Sequence, residues 1–219
     1  MKRILFTGFE RFGQGEANPT EALAEALDGM TIGGIEVISA RLPVSMKSMP
    51  SALRKVIDET DPHAILMSGL WPGEPLIRLE RLAINFAEFG IPDNDGAILS
   101  EDVSGEGPDA LKCTWPVKRI EQAMLSRGIP ARLSEHAGTF LCNAALYTAL
   151  HHCADRDLPI GFMHVPNLPQ QVSRLIQSVR AEHRIELYQR QDLASMALPV
   201  QLDAARIALE EIASVLEKR

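Results

Sequence analysis

Cys142 is the residue whose type and position most invite chemistry. It lies in Ala137-Gly138-Thr139-Phe140-Leu141-Cys142-Asn143, where a glycine and a short strand precede a run of helix formers. A thiol at a helix N-terminus meets the positive end of the helix dipole, which favours thiolate over thiol. The free backbone N–H groups there can also receive a developing oxyanion. The plainer reading is a small buried hydrophobe, since free cysteine is among the most buried residue types. His164 closes the apolar run Ile160-Gly161-Phe162-Met163-His164. Ligands of open α/β sheets bind outside the carboxyl ends of strands, so a strand-ending histidine can face a site. There it would serve as base toward a thiol and acid toward a leaving amine; otherwise it only hydrogen-bonds a loop. Glu80 is a carboxylate in an apolar stretch, between Leu79 and Leu82-Ala83-Ile84. Buried there it needs a cation or an imidazolium. Arg78 or Arg81 would make it a structural ion pair, and a histidine would make it the third member of a triad.

Aromatic residues are scarce, yet Phe9 and Phe12 bracket the first strand-end loop and Phe140 stands two residues before Cys142. If the three converge they line an apolar pocket beside the thiol; if not, they are ordinary core. His63, His136, His151, His152 and His183, with Cys113 and Cys153, form no convincing metal-ligand spacing.

These residues need elements to position them, and short β-branched runs alternate with helical-period segments along the whole chain. That pattern predicts βαβ units, a largely parallel twisted sheet flanked by helices, and a single domain over 1–219. Strands are expected at Ile4 to Phe6, Ile35 to Arg41, Ala64 to Met67, Arg132 to Ser134 and Gly161 to Val165. The sequence Asn18-Pro19-Thr20-Glu21 supplies a cap, a first-turn proline and an acid for a helix ending near Gly29, after the polar loop 13–18. Met49, Leu53 and Ile57 mark a second helix, and Val117, Ile120 and Met124 a third that stops near Gly128. Another helix runs from about Asn143 to Cys153. Val172, Leu175, Ile176 and Val179 mark the next, and Ile207, Ile212 and Leu216 the last. Leu79 to Phe86 is ambiguous between strand and helix because the apolar run is short. The stretch 90–108, rich in Gly, Asp and Pro, reads as an excursion or small hairpin.

Composition bounds the function classes. The chain has 219 residues, 46% hydrophobic and 23% charged, the balance of a soluble globular protein rather than a disordered or coiled-coil one. Its net charge of −7, without a basic run, argues against a nucleic-acid surface. Three cysteines are too few for a disulfide framework, so a reduced, intracellular setting is expected. The charged start breaks at Thr7-Gly8, too early for a signal peptide, and no apolar run is long enough for a membrane helix.

Together the residues resemble the pyroglutamyl peptidase I (pyrrolidone-carboxylate peptidase) family. The likeness covers nearly the whole chain, in the same order. It is carried by Leu5-Phe6-Thr7-Gly8-Phe9-Glu10-Arg11-Phe12-Gly13 with Asn18-Pro19-Thr20, and by Glu80-Arg81-Leu82-Ala83-Ile84-Asn85 with Ile91-Pro92-Asp93-Asn94. The stretches 137–143 and His164-Val165-Pro166, with Leu168-Pro169-Gln170, complete it. The resemblance implies an α/β/α sandwich, usually a cytoplasmic homotetramer without a cofactor. It implies a cysteine peptidase acting on pyroglutamyl peptides, with Cys142 the nucleophile, His164 the base and acid, and Glu80 the orienting carboxylate. An aromatic pocket of Phe9, Phe12 and Phe140, with Ile91, would hold the neutral lactam. A charged amino terminus would pay a large desolvation penalty there.

Three positions depart from the family pattern. Gly73-Glu74 stands where Gly-Arg is usual, Gly90 where an arginine beside the active site is usual, and Trp71-Pro72 where small residues are usual. Arg78 or Arg81 could substitute for the arginine missing at Gly90. The departures keep two other readings open: an idle relative that binds pyroglutamyl-like peptides, and a hydrolase of another small amide.

Overall fold

The computed structural model describes residues 2–13, 17–182 and 193–218. His183 and part of the loop 13–18 lie outside them. The chain begins with β1 (Arg3–Phe9), whose residues from Ile4 onward are all buried, as expected of a strand covered on both faces. It runs through Thr7-Gly8 instead of stopping there. Helix α1 (Pro19–Leu27) starts as its sequence directs: Asn18 Oδ1 accepts from the Thr20 N–H and proline occupies the first turn. A short β2 (Thr31–Ile32), which had no sequence signal, turns antiparallel onto β3 (Ile35–Leu42). Helix α2 (Met49–Thr60) buries the Met49, Leu53 and Ile57 stripe.

Next come β4 (Ala64–Leu70) and β5 (Ile77–Ile84), so the ambiguous apolar stretch is a strand. A two-stranded antiparallel hairpin pairs β6 (Ala87–Glu88), just before the excursion, with β7 (Ser100–Glu101) inside it, and β8 (Ala110–Lys112) follows. Then follow α3 (Val117–Ser126), β9 (Ala131–His136) and α4 (Leu141–His152). The chain continues through β10 (Ile160–Val165), α5 (Pro169–Glu182) and α6 (Leu198–Leu216).

The large sheet has the order β2-β3-β1-β4-β10-β5-β8, with β9 also on β5. Strands β3, β1, β4 and β10 are mutually parallel, whereas β5 runs antiparallel to β10 and β8 and parallel to β9. Helices α1, α3 and α6 pack together on one side, and α2 with α4 on the other. One cluster of buried apolar residues runs from Ile4 to Leu216 through all three layers. The fold is therefore a mixed α/β sandwich around a mostly parallel sheet, as the alternation of elements predicted.

Candidate active site

Strands β4 and β10 end side by side, and their register sets the site. His164 on β10 lies directly opposite Gly69 on β4, and paired strands are about 4.8 Å apart. Cys142 Sγ packs against the same glycine: a Cβ at Gly69 would sit 2.6 Å from the sulfur and 2.8 Å from the Phe162 ring. Only a residue without a side chain leaves the thiol room beside the histidine strand. Cys142 itself is in the first turn of α4, which begins at Leu141 with Phe140 as its N-cap, two residues earlier than the sequence suggested.

Asn143 fastens that turn to the next element. Its side chain accepts from the Ile84 N–H at 2.9 Å and donates to the carbonyls of Ile84 and Phe86 at 2.8 and 3.1 Å. The thiol is thus tied to the end of β5, the strand that carries Glu80. Side chains alternate along a strand, so Arg78 and Glu80 share a face.

Glu80 is fully buried, and its Oε1 meets His164 Nδ1 at 2.8 Å. The same oxygen accepts from Arg78 Nε at 3.2 Å. The carboxylate therefore has both partners that the sequence allowed. Arg78 goes on to Glu74 at 3.4 Å and Ser134 Oγ at 2.5 Å, and Arg132 reaches Glu74 at 2.8 Å. Trp71 lies against this group, with the Arg78 guanidinium 3.9 Å over its ring and the His164 ring 4.9 Å away, edge to face. Sequence reasoning marked Glu74 and Trp71 only as oddities. Their connection depends on register across three strands, which no linear motif encodes.

Burial alone would raise the Glu80 carboxyl, but the His164 hydrogen bond and charge, with Arg78, hold it below its ordinary value. Burial lowers His164 despite the opposing pull of Glu80. Burial and then the Glu80 charge push the Cys142 thiol up to about 12. The first-turn position is present, but desolvation and a nearby carboxylate outweigh it.

A cleft of roughly 500 Å³ opens over Cys142 and His164, lined also by Trp71, Gly90, Ile91 and Phe140. Phe12 borders an adjoining hollow that shares Ile91, and its ring meets Phe140 edge-on at 5.7 Å. Phe9, by contrast, is 3% exposed at the end of β1 and lines neither. The motif Asp93-Asn94 ties the rim together. Asp93 accepts from the N–H groups of Met46, Asp95 and Ala97, while Asn94 donates to the Arg11 carbonyl and accepts from the Gly13 N–H. The segments carrying Phe12 and Ile91 are thereby joined. A side chain at Gly90 would meet open space. Neither candidate arginine fills that position: Arg78 is committed to Glu74 and Glu80, and Arg81 is exposed beside Glu135. Among the described residues, no cluster of His, Cys, Asp and Glu could hold a metal ion.

Comparison with known proteins gives this arrangement its class. Residues 2–214 match the family described as Pyroglutamyl peptidase, so the protein is a cysteine hydrolase. A pyrrolidone-carboxylate peptidase of Pyrococcus furiosus is 37% identical over 211 residues, 95% of this chain and 96% of the relative. One from Mycobacterium marinum is 41% identical over 175 residues, covering 77% and 79% of the two chains. The solved pyrrolidone carboxyl peptidase of Thermococcus litoralis superposes with a TM-score of 0.90 at 35% identity, over 100% of this chain and 96% of that one. The chain belongs to the pyroglutamyl peptidase family.

Proposed function

We propose that the protein releases N-terminal pyroglutamate from peptides through a thioester on Cys142, with His164 as base and acid and Glu80 as its orienting partner. The observation that carries this reading is the ladder position at Gly69, which sets Cys142 Sγ beside the strand of His164 while Glu80 holds that ring at Nδ1. His164 Nε2 takes the thiol proton as Sγ attacks the main-chain carbonyl carbon of pyroglutamate. The first-turn N–H of α4 at Cys142 receives the oxyanion. The C–N bond then breaks, and the imidazolium gives its proton to the leaving amine. Water next yields a proton to His164 and attacks the thioester, releasing pyroglutamic acid and restoring the thiol.

The neutral lactam suits the apolar part of the cleft at Phe140 and Ile91, with Phe12 beyond. The family likeness also supports a cytoplasmic homotetramer acting on pyroglutamyl peptides without a cofactor.

Release of a fluorogenic amine from a pyroglutamyl amide tests the reading. Turnover is expected in wild type and lost in Cys142→Ala; normal turnover in the variant would refute the nucleophile. Absence of turnover in folded wild type would favour the reading for which Gly90 speaks, a relative that binds such peptides without cleaving them.

A further inference from the structure

The direction of proton transfer fixes which end of the cleft receives the leaving residue. On the mechanism above, on which this inference rests, the His164 imidazolium protonates the departing nitrogen. The residue that follows pyroglutamate must therefore lie against His164. On the same reading the lactam takes the part of the cleft lined by Phe140 and Ile91.

What stands beside His164 is Trp71. Its ring is 4.9 Å from the imidazole at an interplanar angle of 86°. Arg78 covers the indole at 3.9 Å. On a further side, two indole carbons come within 3.3 Å of where a Cβ of Gly138 would be, and that glycine has φ +80. The indole is thus held in place before any substrate arrives, and its remaining surface lines the cleft with Leu70 and Pro72. A fixed aromatic wall loses little entropy when it takes an apolar partner.

We propose that Leu70, Trp71 and Pro72 form an apolar subsite for the side chain of the residue after pyroglutamate, selecting aromatic and large aliphatic residues over small or acidic ones. Trp71 is then a specificity-determining residue of this chain.

The test compares kcat/KM for the amides of pyroglutamyl-phenylalanine, -leucine, -alanine and -aspartate. Wild type is expected to prefer phenylalanine and leucine over alanine by about tenfold or more, with aspartate slowest. Trp71→Ala should bring the phenylalanine-to-alanine ratio close to one, and Trp71→Phe should keep most of it. A Trp71→Ala enzyme slowed equally on all four substrates, its ratio intact, would mean that the indole only steadies His164, and the subsite would fall. Equal wild-type rates on all four would overturn the subsite and leave the peptidase reading standing. No turnover of any of them would overturn both.

Discussion

Burial and the Glu80 carboxylate act in the same direction on Cys142, against the first-turn N–H of its helix, and raise its thiol to about 12. His164 is lowered by burial. A base with a lowered pKa stays neutral further into acid. On the proposed mechanism, activity is therefore full while His164 is neutral and is lost as pH falls through a value below the ordinary histidine range of about 6.5. The pH profile of kcat/KM checks this, and an acid limb above about 6.5 would contradict it. Thiolate absorbance, as a difference between wild type and Cys142→Ala, should show no ionisation of Cys142 between about pH 6 and 9. A step near neutrality would instead indicate a resting thiolate–imidazolium pair. Glu80, Cys142 and His164 could be named as candidates from their local context, but only the family resemblance joined them; the Glu80–His164 hydrogen bond is what the structure adds. The state of the thiol was not legible in the sequence, because desolvation is a property of the folded surroundings and a helix position says nothing of it.

At the scale of elements, two polar side chains do work that their motifs only hint at. Asn143 satisfies one N–H and two carbonyls where the chain leaves β5. Asn143→Ala would leave those groups partly unpaired and should cost about 2 kcal/mol or more of stability. Activity should fall too, since the same bonds set the thiol against β5. Urea midpoints with matched turnover assays measure both, and a change within about 0.5 kcal/mol would show that water replaces the amide. Long elements were readable in advance: α1 from its cap, α2 and α3 from their stripes, β3 from its alternation. The two- and three-residue strands β2, β6, β7 and β8 were not, because so few residues carry no periodicity. The strand identity of β5 was undecidable locally. It is settled by neighbours distant in sequence, since β10 and β9 supply the ladder partners of Arg78 and Glu80.

For the whole molecule, the buried cluster that links Ile4 near one end of the chain with Leu216 near the other predicts cooperative unfolding. One calorimetric transition, matched by coincident fluorescence and circular dichroism curves, is expected of the single catalytic domain read from the sequence. Two separated transitions would divide it.

Among the described residues the last strand to be synthesised is β10, and it is inserted between β4 and β5, which come much earlier in the chain. While the chain is still emerging from the ribosome, those two strands therefore wait with unpaired edges, the kind of surface that invites mispairing. Glu80 and Cys142 emerge first, and His164, the hydrogen-bond partner of Glu80, comes only with the strand that closes the gap. On the proposed mechanism, a growing copy until then carries a sulfur whose base has not yet been made, so the order of synthesis itself would keep the unfinished chain inactive.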